Sequence, residues 1–540
     1  MRRARFAVLV LPLLFLACPV AQAGDKAADK PAIVVRVNSI NALLQNLNLV
    51  VRLVGQEDVA QQIEGLVKSK IGKQGLEGVD PARPIGAYVR FGKALDEVNG
   101  ALLIPIVDEK AFLNLLDNLS VVYAKGKDGI YTHKTNKNVD VYFRFANKYL
   151  YITSVNPEAI RDKNLPDPAK ALAVQSNATI AVVARFDQIP NDAKLIALTQ
   201  LEGAIRAAEK KAPPGETKVQ QAFRVALLND LGKLAAGVIK EAGEVRFDLD
   251  VSDKTKELTV NFSVTGTPGS DLAKTIKGLG ELKSPLAGIL KNDLAFQGAF
   301  HLALPDDLNR AFGKAIDEVA AQSLAGIQDA QKKKQALALI QALLPTARSG
   351  EFQLVYAALG PKQDRYTLVS ALKLKDGDKL GKTVHDLIQD ALTDLPPAER
   401  ARIQLNFARV GAIQIHKFQV EADAPTRDLL NQLVGDDHLY VAFRDDAVFL
   451  TLGQEGLPTM RSVLARTDSV ASVPFLFDFD LARIAKVAAK TPEQKALAAK
   501  LFPDGTTGRV RMSIEGGKSL NARLQMQLNV LEFVVKSQEK

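Results

Sequence analysis

The sequence predicts an α+β fold: two diverged copies of one module, each of curved antiparallel sheets packed by long amphipathic helices. Three observations predict it. The stretch from Tyr142 to Ser154 (YFRFANKYLYITS) recurs without a gap from Tyr440 to Leu452 (YVAFRDDAVFLTL), so that Tyr142 falls on Tyr440, Phe145 on Phe443, Tyr151 on Phe449 and Thr153 on Thr451. Each copy reads as a β-hairpin, with a polar turn (Ala146-Asn147-Lys148 or Arg444-Asp445-Asp446) between apolar arms. Second, the order of strands and helices around the two hairpins repeats. Third, strands that alternate apolar and polar and are joined by short polar turns pair antiparallel with one wet face, and long one-sided helices lie on the dry face.

The elements follow in order. Ala32 to Val37 is a β-branched strand, and Asn38 and Ser39 are helix caps for apolar residues at helical spacing from Ile40 to about Ile71, broken near Gly55. Beyond the turn at Pro81-Ala82-Arg83-Pro84, Gly86 to Phe91 and Ala101 to Val107 are paired strands, and Asp108 caps a helix from Glu109 to Asn118. A strand around Gly129 to His133 and the first hairpin follow, closed by a short helix from Pro157. Thr179 to Phe186 is a strand, and a helical hairpin runs to about Ala242, broken at Pro213-Pro214-Gly215. Its second helix carries Leu227, Leu231, Leu234 and Val238 at 4-3-4 spacing, which predicts one buried stripe. Glu244 to Val251 and Glu257 to Val264 form a strand pair, and Asp271 to Leu282 closes the first half.

The second half replays this order. Leu294 to Leu302 is a strand, Pro305 opens one long helix that stops at Pro345, and Glu351 to Leu359 pairs with Tyr366 to Leu374. A helix over about Lys379 to Leu392, a hairpin from Arg402 to Val420 and a helix from Thr426 to Leu433 lead to the second copy of the repeated stretch. Val473 to Phe479 is a strand with Asp480 as helix cap, a helix runs to about Leu501, and Gly508 to Asn529 is the last hairpin, turning at Gly516-Gly517. The boundaries are therefore 1–23 for a leader, 24–31 for a polar tail, 32–293 for the first module (32–176 and 177–293) and 294–540 for the second (294–471 and 472–540).

At 540 residues the chain exceeds one ordinary core, and 47% hydrophobic with 24% charged residues is the composition of a folded protein. Arg2, Arg3 and Arg5, an apolar run from Phe6 to Cys18 and the small-x-small site Ala21-Gln22-Ala23 predict an export signal, with the mature chain beginning at Gly24 and placed in the periplasm or outside the cell. Cys18 after Leu16-Ala17 faintly resembles a lipoprotein box, from which Phe15 departs, and lipid anchoring there is the lesser alternative. Cys18 is the single cysteine, so cleavage after Ala23 leaves a chain with neither disulfides nor thiol chemistry. Losing the three leader arginines takes the formal charge from +9 to +6, and Lys332-Lys333-Lys334 is the longest basic cluster, a solvated helix face rather than a nucleic-acid footprint. No later apolar run reaches about 18 residues, so no transmembrane helix is expected.

No polar constellation outweighs a simpler explanation. His133, His301, His385, His416 and His438 include no His-x-x-x-His pair. Asp436-Asp437-His438 precedes a strand and reads as a turn before it reads as a metal site. Ser370 and Lys373 match Ser-x-x-Lys, but on an alternating strand they face opposite sides. Asp478 and Asp480 share a strand face as a carboxylate pair would, yet Asp480 has a role as a cap; Asp306-Asp307 suit a helix start. Asn118, Asn177 and Asn261 stand in glycosylation sequons. No catalytic, cofactor-binding or metal residue is assigned.

The run from Leu76 to Tyr88 (LEGVDPARPIGAY), together with the hairpin from Tyr142 to Ser154, resembles a group of large uncharacterised exported bacterial proteins of the planctomycete type. In these a signal peptide precedes strand, long helix, a Gly-x-Asp-Pro segment and paired hairpins. Leu344-Pro345-Thr346 stands in place of the Asp-Pro segment in the second half. The resemblance implies export and fold and carries no activity. The expectation is a non-enzymatic binding or structural protein of the cell envelope, with an envelope protein or an apolar ligand as partner. The alternative is a carrier of lipid or another apolar ligand in a helix–sheet cavity, and a hydrolase is the third.

Overall fold

The computed structural model describes residues 30–53, 77–92, 98–136, 138–154, 156–363, 365–489, 491–503 and 508–538, which divide into two compact units. The described part of the first is 30–43 and 77–196, and that of the second 44–53 and 197–538. The expected leader, Cys18, the helix break at Gly55 and Leu76 lie outside the described residues.

The strands of the first unit are β1 (Ile33–Val37), β2 (Ile85–Phe91), β3 (Val98–Pro105), β4 (Ala124–Lys125), β5 (Tyr131–Lys134), β6 (Asp140–Ala146), β7 (Tyr149–Thr153) and β8 (Ile180–Arg185). They pair in the order β8-β1-β2-β3-β7-β6-β5-β4, antiparallel throughout. Helix α1 (Ile40–Leu53) opens at Ser39, whose Oγ accepts from the Ala42 N–H at 3.0 Å. Helix α2 (Glu109–Asn118) opens at Asp108, whose Oδ1 accepts from the N–H groups of Lys110 and Ala111. Both caps are those read from the sequence. Alternation sends the hairpin to two cores. Tyr149 and Tyr151 join Val34, Tyr88 and Leu103 under Ile160 and Leu172, while Phe143 and Leu150 join Tyr131 under Phe112 of α2.

Helix α3 (Asn191–Lys210), whose first turns belong to the first unit, and helix α4 (Lys218–Glu241) of the second are separated by the expected break, and Thr217 and Gln220 close a capping box on α4. The strands of the second unit are β9 (Ala242–Ser252), β10 (Glu257–Gly266), β11 (Lys283–Ser284), β12 (Phe296–Ala303), β13 (Glu351–Lys362), β14 (Arg365–Lys373), β15 (Ile403–Val410), β16 (Ile413–Gln419), β17 (His438–Arg444), β18 (Ala447–Leu452), β19 (Val470–Ala471), β20 (Phe475–Asp480), β21 (Arg509–Glu515) and β22 (Leu520–Gln527). Twelve of them pair antiparallel in the order β9-β10-β22-β21-β20-β12-β13-β14-β18-β17-β16-β15, and β11 pairs with β19. The remaining helices of eight residues or more are α5 (Asp271–Gly280), α6 (Asp306–Ala325), α7 (Ala330–Arg348), α8 (Gly377–Asp394), α9 (Ala424–Leu433), α10 (Gly456–Leu464), α11 (Leu481–Ala488), α12 (Pro492–Leu501) and α13 (Leu528–Gln538). The fold is α+β with antiparallel sheets. Tyr142 pairs with Thr153 and Tyr440 with Thr451, so the two copies of the repeated stretch have the same register.

One face of the twelve-stranded sheet holds Val355, Ala357, Val369, Ala371, Ile415, Ala442 and Phe449. It is closed by the 3₁₀ turn Leu286–Ile289 and by Met460 and Leu464 of α10.

Five local expectations are corrected. The single helix expected from Pro305 is two, α6 and α7, because Asp329 caps a fresh N-terminus by accepting from the Lys332 N–H at 2.9 Å. Pro345 lies inside α7 and does not end it; near a helix end its missing N–H costs one bond and the chain completes the turn to Arg348. The helix after Asp480 is likewise two, with Thr491 and Pro492 starting α12. The last strand ends at Gln527 and continues as α13, whose Leu528 and Val530 are buried. The stripe on α4 is not buried: Leu231 and Leu234 are 53% and 58% exposed. Spacing shows that a helix face is apolar, not what covers it. Here Phe223 of α4 meets Phe312 of α6 from another side, with ring centroids 6.3 Å apart.

Candidate apolar binding face

The second face of the large sheet is apolar and only partly covered. Residues paired directly across strands point to the same side. One such row runs Phe247, Phe262, Ala522, Ile514, Phe475, Phe300, Leu354 and Leu372, across eight strands from β9 to β14. The next row on that side runs Leu249, Val260, Leu524, Met512, Phe477, Gly298, Tyr356 and Ser370. Sixteen neighbouring positions thus offer two hydroxyl side chains as their sole polar groups.

Among the described residues, helices flank these rows without closing over them. On one side Val510 and Met526 pack with Ala482, Phe502 and Phe533 of the α11–α13 group. On the other, Phe312 of α6 meets Phe352 edge-on at 5.4 Å, and α8 approaches so closely at Gly381 that a Cβ there would lie 2.6 Å from the Cβ of Phe443. Between the flanks Phe247 is 37%, Phe262 41%, Phe300 39%, Leu372 38% and Met512 43% exposed. The floor is flattened at one point. Gly298 has no side chain, and the Tyr356 ring occupies its place, stacked on Phe296 with centroids 4.9 Å apart. Burial raises the pKa of the Tyr356 hydroxyl.

The polar candidates land elsewhere. Asp478 is fully buried on the opposite face and takes a bidentate pair from Arg509, Nε to Oδ1 at 2.6 Å and Nη2 to Oδ2 at 2.8 Å, with Gln297 Nε2 at 3.3 Å. Asp480 caps α11 through the Ala482 N–H and also accepts from the Gly508 N–H at 2.9 Å. Arg483 bridges Asp480 to Asp293, and its hydrogen bond holds the Asp293 carboxyl below the usual range. Every carboxylate of this group is spoken for by a cation or a backbone donor, which suits an ionic staple between β20, β21 and α11 better than acid–base chemistry. Ser370 and Lys373 do face opposite sides: Ser370 lies in the apolar row, and Lys373 pairs with Glu351.

Asp436, Asp437 and His438 offer three ligand atoms within 4.8 Å of one another. His438 Nδ1 lies 2.5 Å from Asp436 Oδ1, and Asp437 Oδ2 accepts from Gln419 Nε2 at 2.9 Å, so these groups mainly satisfy each other. Asn118 ends α2, Asn177 is exposed, and Asn261 lies within β10. His133 Nδ1 is 2.7 Å from the Val122 carbonyl oxygen.

One polar meeting has no sign in the sequence. His385 of α8 and His416 of β16 have ring centroids 5.8 Å apart around Asn406. The Asn406 N–H donates to His416 Nδ1 at 3.1 Å, its Nδ2 lies 3.3 Å from His385 Nε2, and Asp386 Oδ1 is 3.1 Å from His385 Nδ1. Asn406 has φ 55°, at the irregularity in the β15–β16 ladder. Burial, then the neighbouring His385, lowers the His416 pKa. A bulge residue linking histidines 31 positions apart leaves no spacing to read.

No protein-family model, no curated protein and no solved structure matches the chain. Among the described residues, no helix is long and apolar enough to cross a membrane.

Proposed function

We propose that this chain is an exported, non-enzymatic binding protein of the cell envelope that carries an apolar ligand on the uncovered face of its large sheet. The observation that supports this is the strip from Phe247 to Leu372, apolar across eight strands with five of its large side chains more than a third exposed. Contiguous apolar surface of this kind marks a binding site rather than a resting surface.

An acyl chain fits the strip better than a peptide. A peptide brings backbone donors and acceptors that need partners, and the two rows offer only the hydroxyls of Tyr356 and Ser370. Seven strand spacings of about 4.8 Å make the strip about 34 Å long, whereas one leaflet of hydrocarbon is about 15 Å deep. Each buried methylene contributes roughly 0.8 kcal/mol without demanding a hydrogen bond.

The reading of two diverged modules belongs with this proposal. The pairing order β20-β12-β13-β14-β18-β17-β16-β15 repeats β8-β1-β2-β3-β7-β6-β5-β4 element for element, and the hairpin registers agree. The hairpin β9–β10, assigned from sequence to the first module, pairs with β22 and lengthens the second module's sheet, and with it the apolar strip. The predicted leader and the resemblance to exported bacterial proteins support an envelope location.

Native mass spectrometry of the mature chain from its own export compartment tests the proposal, alongside titration with a fluorescent fatty acid. A releasable lipid mass, with probe binding lost in Phe262→Asp and Met512→Asp, is the expected result. A bare chain that takes up no probe, or probe binding indifferent to both variants, removes the carrier reading.

A further inference from the structure

On the helix-covered side of the same sheet, away from the strip, lies a cavity of about 240 Å³ lined by Ile289, Lys291, Leu359, Pro458, Thr459, Ser462, Val463 and Arg466. Its chemistry divides cleanly. Ile289, Leu359 and Val463 form an apolar wall continuous with the core beneath. Lys291 and Arg466 bring two cations from separate segments. Thr459 and Ser462, three residues apart on α10, turn two hydroxyls to one side of that helix. None of the lining residues is acidic.

The two cations are not neutralised from nearby. Of the acids close by in sequence, Asp293 pairs with Arg483, Glu455 with Lys362 at 2.8 Å and Asp446 with Arg444, while Asp468 is exposed and pairs with neither cation. Among the described residues, neither Lys291 nor Arg466 has a carboxylate within ion-pair distance. Arg466 is instead held in place: one guanidinium nitrogen donates to the Gly288 carbonyl, and its own carbonyl accepts from Arg444 Nη1 at 2.8 Å. Its remaining N–H groups are thereby pre-oriented, which lowers the entropy lost on binding an anion.

We propose that this cavity is a binding site for a phosphate monoester. Two cations and two hydroxyls, Lys291 from one segment of chain and Thr459, Ser462 and Arg466 from another, supply the several donors that a tetrahedral group with three terminal oxygens requires; a planar carboxylate would leave some unused. The carbon end of the ester lies along Ile289, Leu359 and Val463. The site is independent of the apolar strip, since Leu359 points to the opposite face of β13 from Tyr356 and Ala358.

The test is calorimetric titration of the full mature chain with inorganic phosphate, glycerol phosphate and acetate, and a flotation assay with vesicles containing phosphatidic acid. We expect one glycerol phosphate per chain, bound more tightly than acetate and weakened about ten-fold or more in Lys291→Gln, as loss of a charge-assisted bond implies. Ser462→Ala, at an exposed position, should weaken it further with no change in unfolding midpoint. Arg466→Gln also releases the Gly288 loop, so it is read only beside those two. Vesicle binding without uptake of free glycerol phosphate identifies the ester as a lipid headgroup. The proposal is overturned if neither form binds below about 10 mM, or if affinity is unchanged in the Lys291→Gln, Ser462→Ala double variant.

Discussion

Gly298 and Tyr356 face each other across β12 and β13, and a Cβ on Gly298 would lie 2.3 Å from the Tyr356 hydroxyl. The tyrosine ring therefore lies flat along the floor of the apolar strip, where almost any other residue on β12 would lift it. Gly298→Ala should cost about 1–3 kcal/mol through overpacking and weaken acyl-probe binding by raising the ring into the strip. In a Tyr356→Ala background the same change should cost little. A double-mutant cycle on urea unfolding, run with the probe titration, measures both.

Arg509 is the main counter-charge of the buried Asp478. Arg509→Ala leaves that carboxylate without its bidentate partner. The expected loss is about 3 kcal/mol, the low end for a broken buried pair because Arg509 itself is partly solvated. Replacing Asp478 and Arg509 together by Leu should recover much of it. Urea midpoints of the three variants decide, and a midpoint for Arg509→Ala equal to that of the parent would show the pair to be dispensable.

Acid should weaken the fold in two stages. Burial lowers the pKa values of His416 and His301 below the ordinary 6.5, so the folded state binds their protons less readily than the unfolded chain does. Their contribution is present above pH 6.5 and is lost as pH falls below it toward the folded-state values. Carboxylates held low by cations, among them Asp293, Asp307 and Glu351, act only at more acid pH, through the usual carboxylate range. Unfolding free energy followed from pH 8 to about 5 should therefore slope downward, and His416→Gln should flatten part of that slope. Protonation at His416 Nδ1 also removes the acceptor for the Asn406 N–H.

Leu231 and Met460 separate apparent from real burial. Leu231→Glu on α4 should change stability by no more than about 0.5 kcal/mol, because the side chain already faces solvent. Met460→Ala, fully buried under β18, should cost about 2–5 kcal/mol. Thermal or urea unfolding of both checks the contrast. A large loss from Leu231→Glu would show that something covers α4.

Much of the local structure was legible because its causes are local. Ser39, Asp108 and Asp480 cap the helices they were expected to cap, since a side-chain oxygen needs only the next two or three N–H groups. Both hairpins fall where polar turns separate alternating arms. Missed were the division of the helix after Pro305, where Asp329 acts as a second cap, and the change from strand to helix at Leu528, where packing of Leu528 and Val530 outweighs β propensity. The candidate site was less legible. That strands carried an apolar face could be read, but which apolar faces stay open could not.

The sequence by itself determined the antiparallel α+β class, the caps and turns and the register of the repeated hairpins, because alternation, capping and turn geometry act over a few residues. Only the tertiary structure decided that β10 pairs with β22, placing Phe262 beside Ala522, and that Gln297 and Arg509 meet at Asp478. It also decided that the face lined by Phe300 and Met512 stays open while that lined by Phe449 is closed. Burial is a property of what arrives from elsewhere in the chain, and no spacing within one element records which distant element will cover it.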